Sequence, residues 1–339
     1  MILRFPVFDG HNDLLLRLWQ KSSAGAVSDF IDGEAAGHLD LPRMADGGFA
    51  GGLFAIYTPS EAADLGPDPL NPFDYPPVPT EVAARATMEM ATLLFALERD
   101  VPNNGFHICR SVADIRAAMA LGAIAGVMHI EGAEAVGPKL EGLEALCNMG
   151  LRSLGPVWSR ANAFGHGVPF RFPCSPDTGP GLTDAGKALV RECNRLRIMM
   201  DVSHLNEKGF WDLAELSDAP IVASHSNVHA ICPSSRNLMD DQLRAIGESG
   251  GMVGLNFAVL FLREDGAFDA SMKPELMIRH LDHMIKLAGE DCVGFGSDFD
   301  GAGVPEFLRD ASGLPHLVEA MDQAGYGADL IRKITSENW

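Results

Sequence analysis

Short apolar segments alternate along the chain with longer stretches in which apolar residues recur at helical spacing. This alternation is typical of strand and helix units that build a parallel sheet. The predicted strands are Phe5–Asp9, Gly52–Tyr57, Ile124–Ile130, Ser153–Trp158, Arg197–Val202, Pro220–Ala223, Met252–Asn256 and Cys292–Gly296. The predicted helices are Thr80–Arg99, Ser111–Leu121, Lys139–Met149, Thr183–Arg195, Glu207–Leu216, Asp240–Glu248 and Pro274–Ala288.

The number of predicted strands distinguishes between two α/β architectures. Eight strands, most of them followed by a helix, match a (β/α)8 TIM barrel, whereas a doubly wound sheet more often has five or six. The length of 339 residues is compatible with two small domains or with one barrel that has long loops. The strand count favours the barrel. Residues 1–339 are therefore predicted to form a single barrel domain.

Two long connections follow predicted strands. Thr58–Pro79 contains seven prolines, and Gly165–Gly181 is rich in proline, glycine and phenylalanine. In a barrel both would lie at the C-terminal face, where active sites are built. They are candidate lids over a site at that face, and the alternative that both are solvated surface loops is equally compatible with the pattern.

Charge and composition disfavour several classes of partner. The chain has 46 acidic and 26 basic residues and a net charge of −20, which repels nucleic acid and anionic membrane surfaces. The longest apolar run has 12 residues, too few to span a bilayer, and the N-terminus lacks the pattern of a signal peptide. The six cysteines form no Cys-x-x-Cys pair. We expect a cytoplasmic protein with reduced cysteines and no nucleic-acid or membrane partner.

Histidine and acidic residues stand at the ends of predicted strands. Because parallel barrel strands deliver their C-terminal ends to one mouth, residues distant in sequence should meet there. The residues in these positions are His11, Asp13, Glu131, His204, His225 and Asp298.

Imidazoles and carboxylates are ligands for zinc and similar divalent ions. The set is large enough for two ions, and Glu131 could bridge a pair that activates a shared water. A single histidine at a strand end is more often a hydrogen-bonding residue than a ligand, so the prediction depends on the joint placement. His129 and His229 are interpreted as structural, and His280 and His283 as partly exposed helix residues.

Other catalytic chemistries lack their signatures. No serine lies in a Gly-x-Ser-x-Gly motif, which disfavours acyl-enzyme catalysis. The seven lysines all fall in predicted loops or helices rather than at strand ends, which disfavours a Schiff-base enzyme.

With these residues the sequence resembles the membrane dipeptidase (renal dipeptidase) family of metal-dependent amidohydrolase barrels. The matching segments run in the family's order over essentially the whole chain. They are Asp9-Gly-His-Asn-Asp13, His129-Ile-Glu131-Gly, Asp201-Val-Ser-His204, Ala223-Ser-His225-Ser, Ser235-Arg-Asn237-Leu, the segment from Gly251 to Phe257, the segment from Val293 to Gly301, and Glu337-Asn-Trp339.

The resemblance implies a role for each matching residue. His11 and Asp13 would bind one Zn2+, His204 and His225 a second, and Glu131 would bridge both together with a hydroxide. Asp298 would transfer protons and Arg236 would bind the terminal carboxylate of the substrate. The structural alternative for Arg236 is a surface salt bridge. The planar guanidinium of Arg236, with its several N–H donors, is nevertheless well suited to bidentate binding of a carboxylate.

The chain departs from the family in one segment. Family members carry a histidine after the fourth strand, where this sequence has Pro156-Val-Trp158-Ser-Arg160-Ala-Asn162. That histidine is a proposed hydrogen-bond donor to the oxygen of the tetrahedral intermediate. The Trp158 indole, Arg160 and His166 are candidate replacements, and Trp158 is predicted to contact substrate.

The predicted function is zinc-dependent hydrolysis of the amide bond of dipeptides, L-Xaa-D-Xaa dipeptides among them, by attack of a metal-bridging hydroxide. One alternative is another amidohydrolase on the same barrel that acts on N-acyl amino acids or β-lactams. A second is an inactive homologue that only binds ligands. The expected partner is a small-molecule dipeptide, and the family resemblance implies a homodimer.

Overall fold

The computed structural model describes residues 5–21, 25–60 and 75–339, and its centre is a sheet of parallel strands. The strands are β1 (Val7–Asn12), β2 (Phe49–Tyr57), β3 (Phe106–Ile108), β4 (Ile124–Glu131), β5 (Leu151–Gly155), β6 (Met199–Met200), β7 (Val222–Ser226), β8 (Met252–Asn256) and β9 (Val293–Gly296). The α-helices are α1 (Leu14–Gln20), α2 (Ala26–Asp32), α3 (Leu41–Gly47), α4 (Thr80–Asp100), α5 (Val112–Ala120), α6 (Leu143–Met149), α7 (Asp184–Leu196), α8 (Glu207–Leu216), α9 (Asp240–Glu248), α10 (Pro274–Ala288), α11 (Leu314–Gln323) and α12 (Ala328–Arg332).

Eight of the strands form a ring in the order β6-β5-β4-β2-β1-β9-β8-β7. The ring closes where Asp201, the residue after β6, pairs in parallel with Val222 at the start of β7. The backbone N–H of Val202 donates to the Val222 carbonyl at 2.8 Å in the same place. A ring of eight parallel strands surrounded by helices is the (β/α)8 barrel, so the predicted fold class is confirmed.

The ninth strand, β3, is absent from the sequence prediction. It has three residues, which is too short to produce a recognisable alternation. It pairs with the first half of β4, Ile124–Gly126, on the same edge whose second half pairs with β5. Thus β3 fills the lower part of that edge and is not a member of the ring.

Several predicted strand bounds are wrong where polar side chains enter the barrel. The first strand continues to Asn12 instead of ending at Asp9, and β7 continues through His225 to Ser226. Polar residues inside the barrel interrupt the apolar pattern on which the prediction rests. The predicted strand Arg197–Val202 is reduced to β6 because Arg197 ends α7 in a left-handed conformation, with φ of 57°.

The predicted helices are present, and those that were missed are mostly short. Three of the missed helices, α1 to α3, have seven residues each, and short helices give few periods of the apolar pattern. The predicted helix Lys139–Met149 is shortened to α6. Side-chain caps are found where the sequence has Ser111, Thr183 and Asn206, each of which accepts a backbone N–H three residues later.

Alternation along β4 separates the outside of the barrel from its interior. Met128 and Ile130 belong to the large core between the barrel and its helices. Val127, His129 and Glu131 lie on the opposite face, because successive side chains of a strand point to opposite sides. Val127 packs in a smaller apolar cluster with Trp339. The interior therefore changes from apolar at the bottom to polar at the mouth.

Trp339 closes the bottom of the barrel. Its indole N–H donates to the Phe295 carbonyl at 3.0 Å. A Cβ atom at Gly10 or at Gly294 would lie 2.4 Å from the indole, so these glycines leave the space that the ring occupies. Asn338 fixes the segment through hydrogen bonds to the carbonyls of Glu290 and Val293.

The structure also tests the predictions about the two long connections, the cysteines and membrane-spanning segments. In the loop Gly165–Gly181, Phe170 reaches the cavity at the mouth, whereas residues 61–74 of Thr58–Pro79 lie outside the described residues. All six cysteines are free thiols. Within the described ranges no helix is long and apolar enough to cross a membrane.

Candidate metal centre and active site

Imidazole and carboxylate side chains meet around Glu131 at the C-terminal mouth of the barrel. Glu131 Oε1 lies 2.7 Å from His204 Nε2, 3.4 Å from His225 Nε2 and 3.7 Å from His11 Nε2. All four side chains are buried. Two overlapping groups could each hold a metal ion, since their ligand atoms lie within 4.8 Å of one another. These groups are His11, Glu131 and His225, and His11, Asp13 and Asp298.

Each of these residues comes from a different place on the barrel. His11 and His225 lie within strands, and Glu131 is the last residue of β4. Asp13 stands directly before α1, while His204 and Asp298 lie in turns after β6 and β9. The structure therefore brings together all six residues that the sequence placed at strand ends.

Hydrogen bonds to serine define the protonation of His225. Ser224 donates its hydroxyl proton to Asp201 Oδ2 at 2.5 Å, and the same hydroxyl oxygen lies 2.8 Å from His225 Nδ1. Because a hydroxyl has one proton, Ser224 must accept from Nδ1, and Nε2 of His225 has the free lone pair. Although burial opposes its charge, His129 and hydrogen bonds from Ser224 and Ser203 hold the pKa of Asp201 below its usual value. Asp201 is therefore the ionised acceptor that this arrangement requires.

His204 is held in a similar way and faces His225. Ser159 Oγ lies 2.8 Å from His204 Nδ1, and the two Nε2 atoms of His204 and His225 are 3.0 Å apart. Burial lowers the pKa of both imidazoles well below the usual value, so both are neutral. Two neutral imidazoles that direct lone pairs toward one another, with a carboxylate between them, form a donor set that fits a divalent cation.

The electrostatics on the other side of the cluster also favour a cation. Burial raises the pKa of Glu131 to about 8, although the neighbouring His11 opposes this shift. Burial disfavours charge on His11 as well, yet Glu131 and Asp13 together raise its pKa to about 10. Burial thus disfavours the negative charge of Glu131, and a cation held where its oxygen meets the imidazoles would stabilise the ionised carboxylate. Residues of this kind and geometry fit a metal centre.

Asp298 and Asp13 approach each other closely. A Cβ atom at Gly301 would lie 2.1 Å from Asp13 Oδ2 and 2.5 Å from Asp298 Oδ1. Asn256 donates to the other oxygen of Asp298, Oδ2, at 2.9 Å. Asp298 therefore has one fixed oxygen and one that faces the space beside Asp13.

Arg236 is a buried cation beside the imidazoles. Its Nη1 donates to Ser226 Oγ at 3.1 Å and its Nη2 to the His225 carbonyl at 3.0 Å. Nη2 is also 3.1 Å from His204 Nε2, and Nε is buried without a partner in the described part of the chain. Burial lowers the pKa of Arg236 to about 10, so the guanidinium remains charged at neutral pH. The surface salt bridge considered for Arg236 is not what the structure shows.

The cluster opens into a cavity of about 350 Å³. Aromatic side chains surround it, and Trp158 stands at the centre of them, with ring centroids 5.0 Å from Tyr57, 5.5 Å from Phe170 and 5.9 Å from His204. The acidic and imidazole residues at its base are Asp13, Glu131, His204, His225 and Asp298. Trp158 is placed at the cavity, as its predicted role requires.

The other two candidate replacements for the family histidine lie elsewhere. Arg160 is buried and paired with Glu134 at 2.8 Å, and it donates to the Thr58 carbonyl at 2.7 Å. It reaches the cavity indirectly, through Tyr57, whose hydroxyl lies 3.3 Å from Nη1. His166 pairs with Ala161 in a loop bridge and does not belong to the described lining of the cavity.

The residues that support the cluster were not predicted from the sequence. Ser159, Ser224, Asp201 and Asn256 have no assigned role in it, although Asp201, Ser224 and Asn256 lie within the matching segments. A signal was available for Ser224, because a serine directly before a ligand histidine can bond that ring's second nitrogen. No comparable signal exists for Ser159, which is 45 residues from its partner His204.

One histidine was interpreted wrongly. His280 is fully buried rather than partly exposed, accepts from the Val228 N–H at 3.2 Å and bonds the Leu262 carbonyl at 2.9 Å. His283 is partly exposed, as predicted, and lies 2.8 Å from Asp240 Oδ1. His129 is structural in the described arrangement, with Nδ1 2.8 Å from Ser153 Oγ.

Comparisons with known proteins agree with this geometry. The model of the membrane dipeptidase family, peptidase family M19, matches residues 1–339. A metallopeptidase from Rhodobacter sphaeroides, solved with a phosphinate mimic of the dipeptide L-Ala-D-Ala, is 54% identical with a TM-score of 0.95 over 99% of this chain and 98% of that one. The solved dipeptidase AC, a metallopeptidase of family M19, is 55% identical with a TM-score of 0.94 over 99% of this chain and 97% of that one.

An uncharacterised protein from the PQQ-III 3' region of Acinetobacter calcoaceticus is 43% identical over 285 residues, which is 83% of this chain and 89% of that protein. Together with the family match over the full sequence, these similarities are sufficient to assign the family. The chain belongs to the membrane dipeptidase family, peptidase family M19, and is an enzyme of the metallopeptidase class.

Proposed function

We propose that this enzyme hydrolyses the single amide bond of dipeptides, including L-Xaa-D-Xaa dipeptides, with two Zn2+ ions at the Glu131 cluster. The observation that carries the proposal is a cluster in which Asp13, Glu131, His204, His225 and Asp298 line one small cavity, with His11 and the guanidinium of Arg236 buried against them. In this assignment His11 and Asp13 would hold one ion, His204 and His225 would hold the other, and Glu131 would be shared between them.

The bound ions would supply an activated water and would stabilise charge on the carbonyl oxygen of the scissile bond. Asp298 is suited to move the proton because Asn256 holds only one of its oxygens, which leaves Oδ1 facing the cavity side of Asp13. We assign Asp298 as the group that accepts a proton from the water and returns it to the leaving amine.

Arg236 provides the recognition of the substrate's carboxylate. Its buried guanidinium retains its charge, and bidentate binding of a carboxylate by arginine is stronger than a neutral hydrogen bond. With the carboxylate at Arg236 and the amide at the cluster, the cavity of about 350 Å³ leaves room for a short substrate only. The phosphinate mimic of L-Ala-D-Ala bound by the Rhodobacter sphaeroides metallopeptidase supports this substrate class. Trp158 is proposed to contact the substrate from the wall of the cavity.

A panel of substrates tests the proposal. The panel should contain L-Ala-L-Ala, L-Ala-D-Ala, their N-acetyl derivatives, a tripeptide and a β-lactam, each assayed for amine release or ring opening with and without added zinc. We expect both dipeptides to be hydrolysed in a zinc-dependent way and the blocked or longer compounds to be poor substrates.

Other results would favour the alternatives. Faster turnover of the N-acetyl compounds or the β-lactam would indicate a different amidohydrolase on this barrel. No turnover of any compound by a protein that has a full complement of zinc would indicate an inactive homologue. The cytoplasmic location and the homodimer stay predictions, and light scattering measures the second.

A further inference from the structure

The turn after β9, which carries Asp298, has an unusual backbone. Asp298 and Asp300 both adopt left-handed conformations, with φ of 59° and 68°. Residues other than glycine seldom adopt this conformation, although aspartate does so more readily than most. Two of them on either side of Phe299 persist only when the surrounding structure holds them in place.

The side chain of Asp300 adds contacts to the backbone hydrogen bonds of this turn, in which the Asp298 N–H donates to the His11 carbonyl at 3.0 Å. It is fully buried, and its Oδ2 accepts from Arg17 Nε at 2.9 Å. Its Oδ1 accepts from the backbone N–H of His38, and its own backbone N–H donates to His38 Nδ1 at 2.9 Å. Asp300 is therefore fixed by two residues from outside the turn, through three hydrogen bonds.

The two partners connect the turn to the segment that carries Asp13. Arg17 lies on α1, which begins directly after Asp13. The Asp13 N–H also donates to the Phe299 carbonyl at 2.8 Å, and the Phe299 ring lies 5.5 Å from the ring of His38. The positions of Asp13 and Asp298 are consequently fixed relative to one another by the same set of contacts.

We propose that Arg17, His38 and Asp300 form a positioning clamp that sets the place of the Asp298 carboxylate beside Asp13 and thereby the rate of the proton-transfer step. None of the three lines the cavity in the described structure, so they act through Asp298. This inference rests on the proposed function, because it gives Asp298 the role assigned above.

The clamp matters because the carboxylates of Asp13 and Asp298 lie close together. Asp13 Oδ2 and Asp298 Oδ1 come together in the space that the missing side chain of Gly301 leaves. A movement of about 1 Å of a reacting group can cost a factor of about 10² in rate. Asn256 fixes one oxygen of Asp298 but not the backbone that carries it.

Two substitutions remove the clamp in different ways. His38→Leu removes the acceptor for the Asp300 N–H, whereas His38→Asn restores an acceptor oxygen at the position of Nδ1. Asp300→Gly removes all side-chain contacts and at the same time relieves the left-handed strain, so folding is not compromised by that strain. Lys21→Gln is the matched control, since Lys21 pairs with Glu34 and Asp29 in the same ionic network but not with Asp300.

The experiment measures kcat and KM on L-Ala-D-Ala, zinc per chain, and crystal structures of the wild type and Asp300→Gly. We expect kcat to fall about 10²-fold in His38→Leu and Asp300→Gly with KM changed less than about threefold. We expect kcat to recover to within about fivefold in His38→Asn, and zinc content to stay at the wild-type value in all variants. Lys21→Gln should retain wild-type kcat. In the crystal of Asp300→Gly, the Asp298 carboxylate should leave Asn256 Nδ2.

The proposal is overturned by wild-type kcat in both His38→Leu and Asp300→Gly, by an equal loss in Lys21→Gln, or by loss of zinc in parallel with kcat. A wild type that is inactive on dipeptides contradicts the proposed function instead. In that case an unmoved Asp298 in the Asp300→Gly crystal overturns the clamp and a displaced one supports its positioning role.

Discussion

Asp13 and Asp298 direct one carboxylate oxygen each toward Gly301, so closely that a Cβ atom there would overlap both. The nearest distances would be 2.1 Å to Asp13 Oδ2 and 2.5 Å to Asp298 Oδ1. A proposed metal ligand and the proposed proton carrier thus share a gap that only glycine leaves open.

Gly301→Ala should lower kcat/KM on a dipeptide by about 10²-fold, because the new methyl group must push one carboxylate out of position. Gly327→Ala is a suitable control, since a Cβ atom there meets no atom of the described residues within 4 Å and the backbone is not left-handed. Steady-state kinetics of the two variants check the prediction. Equal activity of Gly301→Ala and Gly327→Ala would show that the gap has no catalytic importance.

Ser224→Ala should weaken zinc binding. Ser224 accepts from His225 Nδ1 while it donates to Asp201, so its loss removes the contact that orients the ring and defines its tautomer. Loss of such a supporting residue typically costs 10–100-fold in metal affinity. Competition with a chelator measures this. Ser111→Ala, which removes only the cap of α5, should lower stability without any change in zinc affinity.

His280 should make the unfolding free energy depend on pH below neutrality. Burial, with smaller contributions from Arg279 and His283, lowers the pKa of His280 from 6.5 to about 4. Below pH 6.5 the unfolded chain therefore binds a proton that the folded chain excludes, and stability falls as the pH drops toward 4, by about 1.4 kcal/mol per pH unit.

Urea unfolding of the wild type and His280→Gln at pH 7 and pH 5 isolates this effect. The free energy of unfolding of the wild type minus that of His280→Gln should be about 2 kcal/mol smaller at pH 5 than at pH 7. Only the wild type has a histidine with a lowered pKa at this position. An advantage that is independent of pH would contradict the buried neutral state of His280.

Trp339→Ala should lower the free energy of unfolding by about 3 kcal/mol, since large aromatic residues leave a cavity when they are truncated. The indole fills the space between Gly10 and Gly294 at the bottom of the barrel. Trp211→Ala is the matched control, because Trp211 is 37% exposed and should contribute about 1 kcal/mol or less. If the two variants lose equal stability, Trp339 does not close the barrel as described.

The fold could be predicted from the sequence wherever strands are apolar and helices are long. Segments such as Met252–Asn256 match their predicted bounds because every residue is buried in apolar surroundings or lies at the strand end. Prediction fails in β1, where His11 and Asn12 belong to the strand but look like a loop. It fails again in β6, where two residues and one bridge complete the ring. Local patterns carry no information about a strand that pairing with distant neighbours defines.

The residues of the site could be predicted from the sequence to a similar extent. Residues that follow or end barrel strands must meet at one mouth, so His11, Glu131 and His225 could be placed together without a structure. Their supports could not, because the contact of Ser159 with His204 or of Arg17 with Asp300 depends on how loops fold back across the barrel. The burial of His280 was missed for the same reason: its partners, Val228 and Leu262, are 52 and 18 residues away.

Anomalous diffraction at the zinc edge, from crystals of the wild-type protein grown with zinc, would locate any metal ions at the mouth of the barrel. We expect two peaks with the Glu131 carboxylate between them, one also bound by His11 and Asp13 and the other by His204 and His225. A single peak, no peak, or peaks held by other residues would contradict the proposed two-zinc centre.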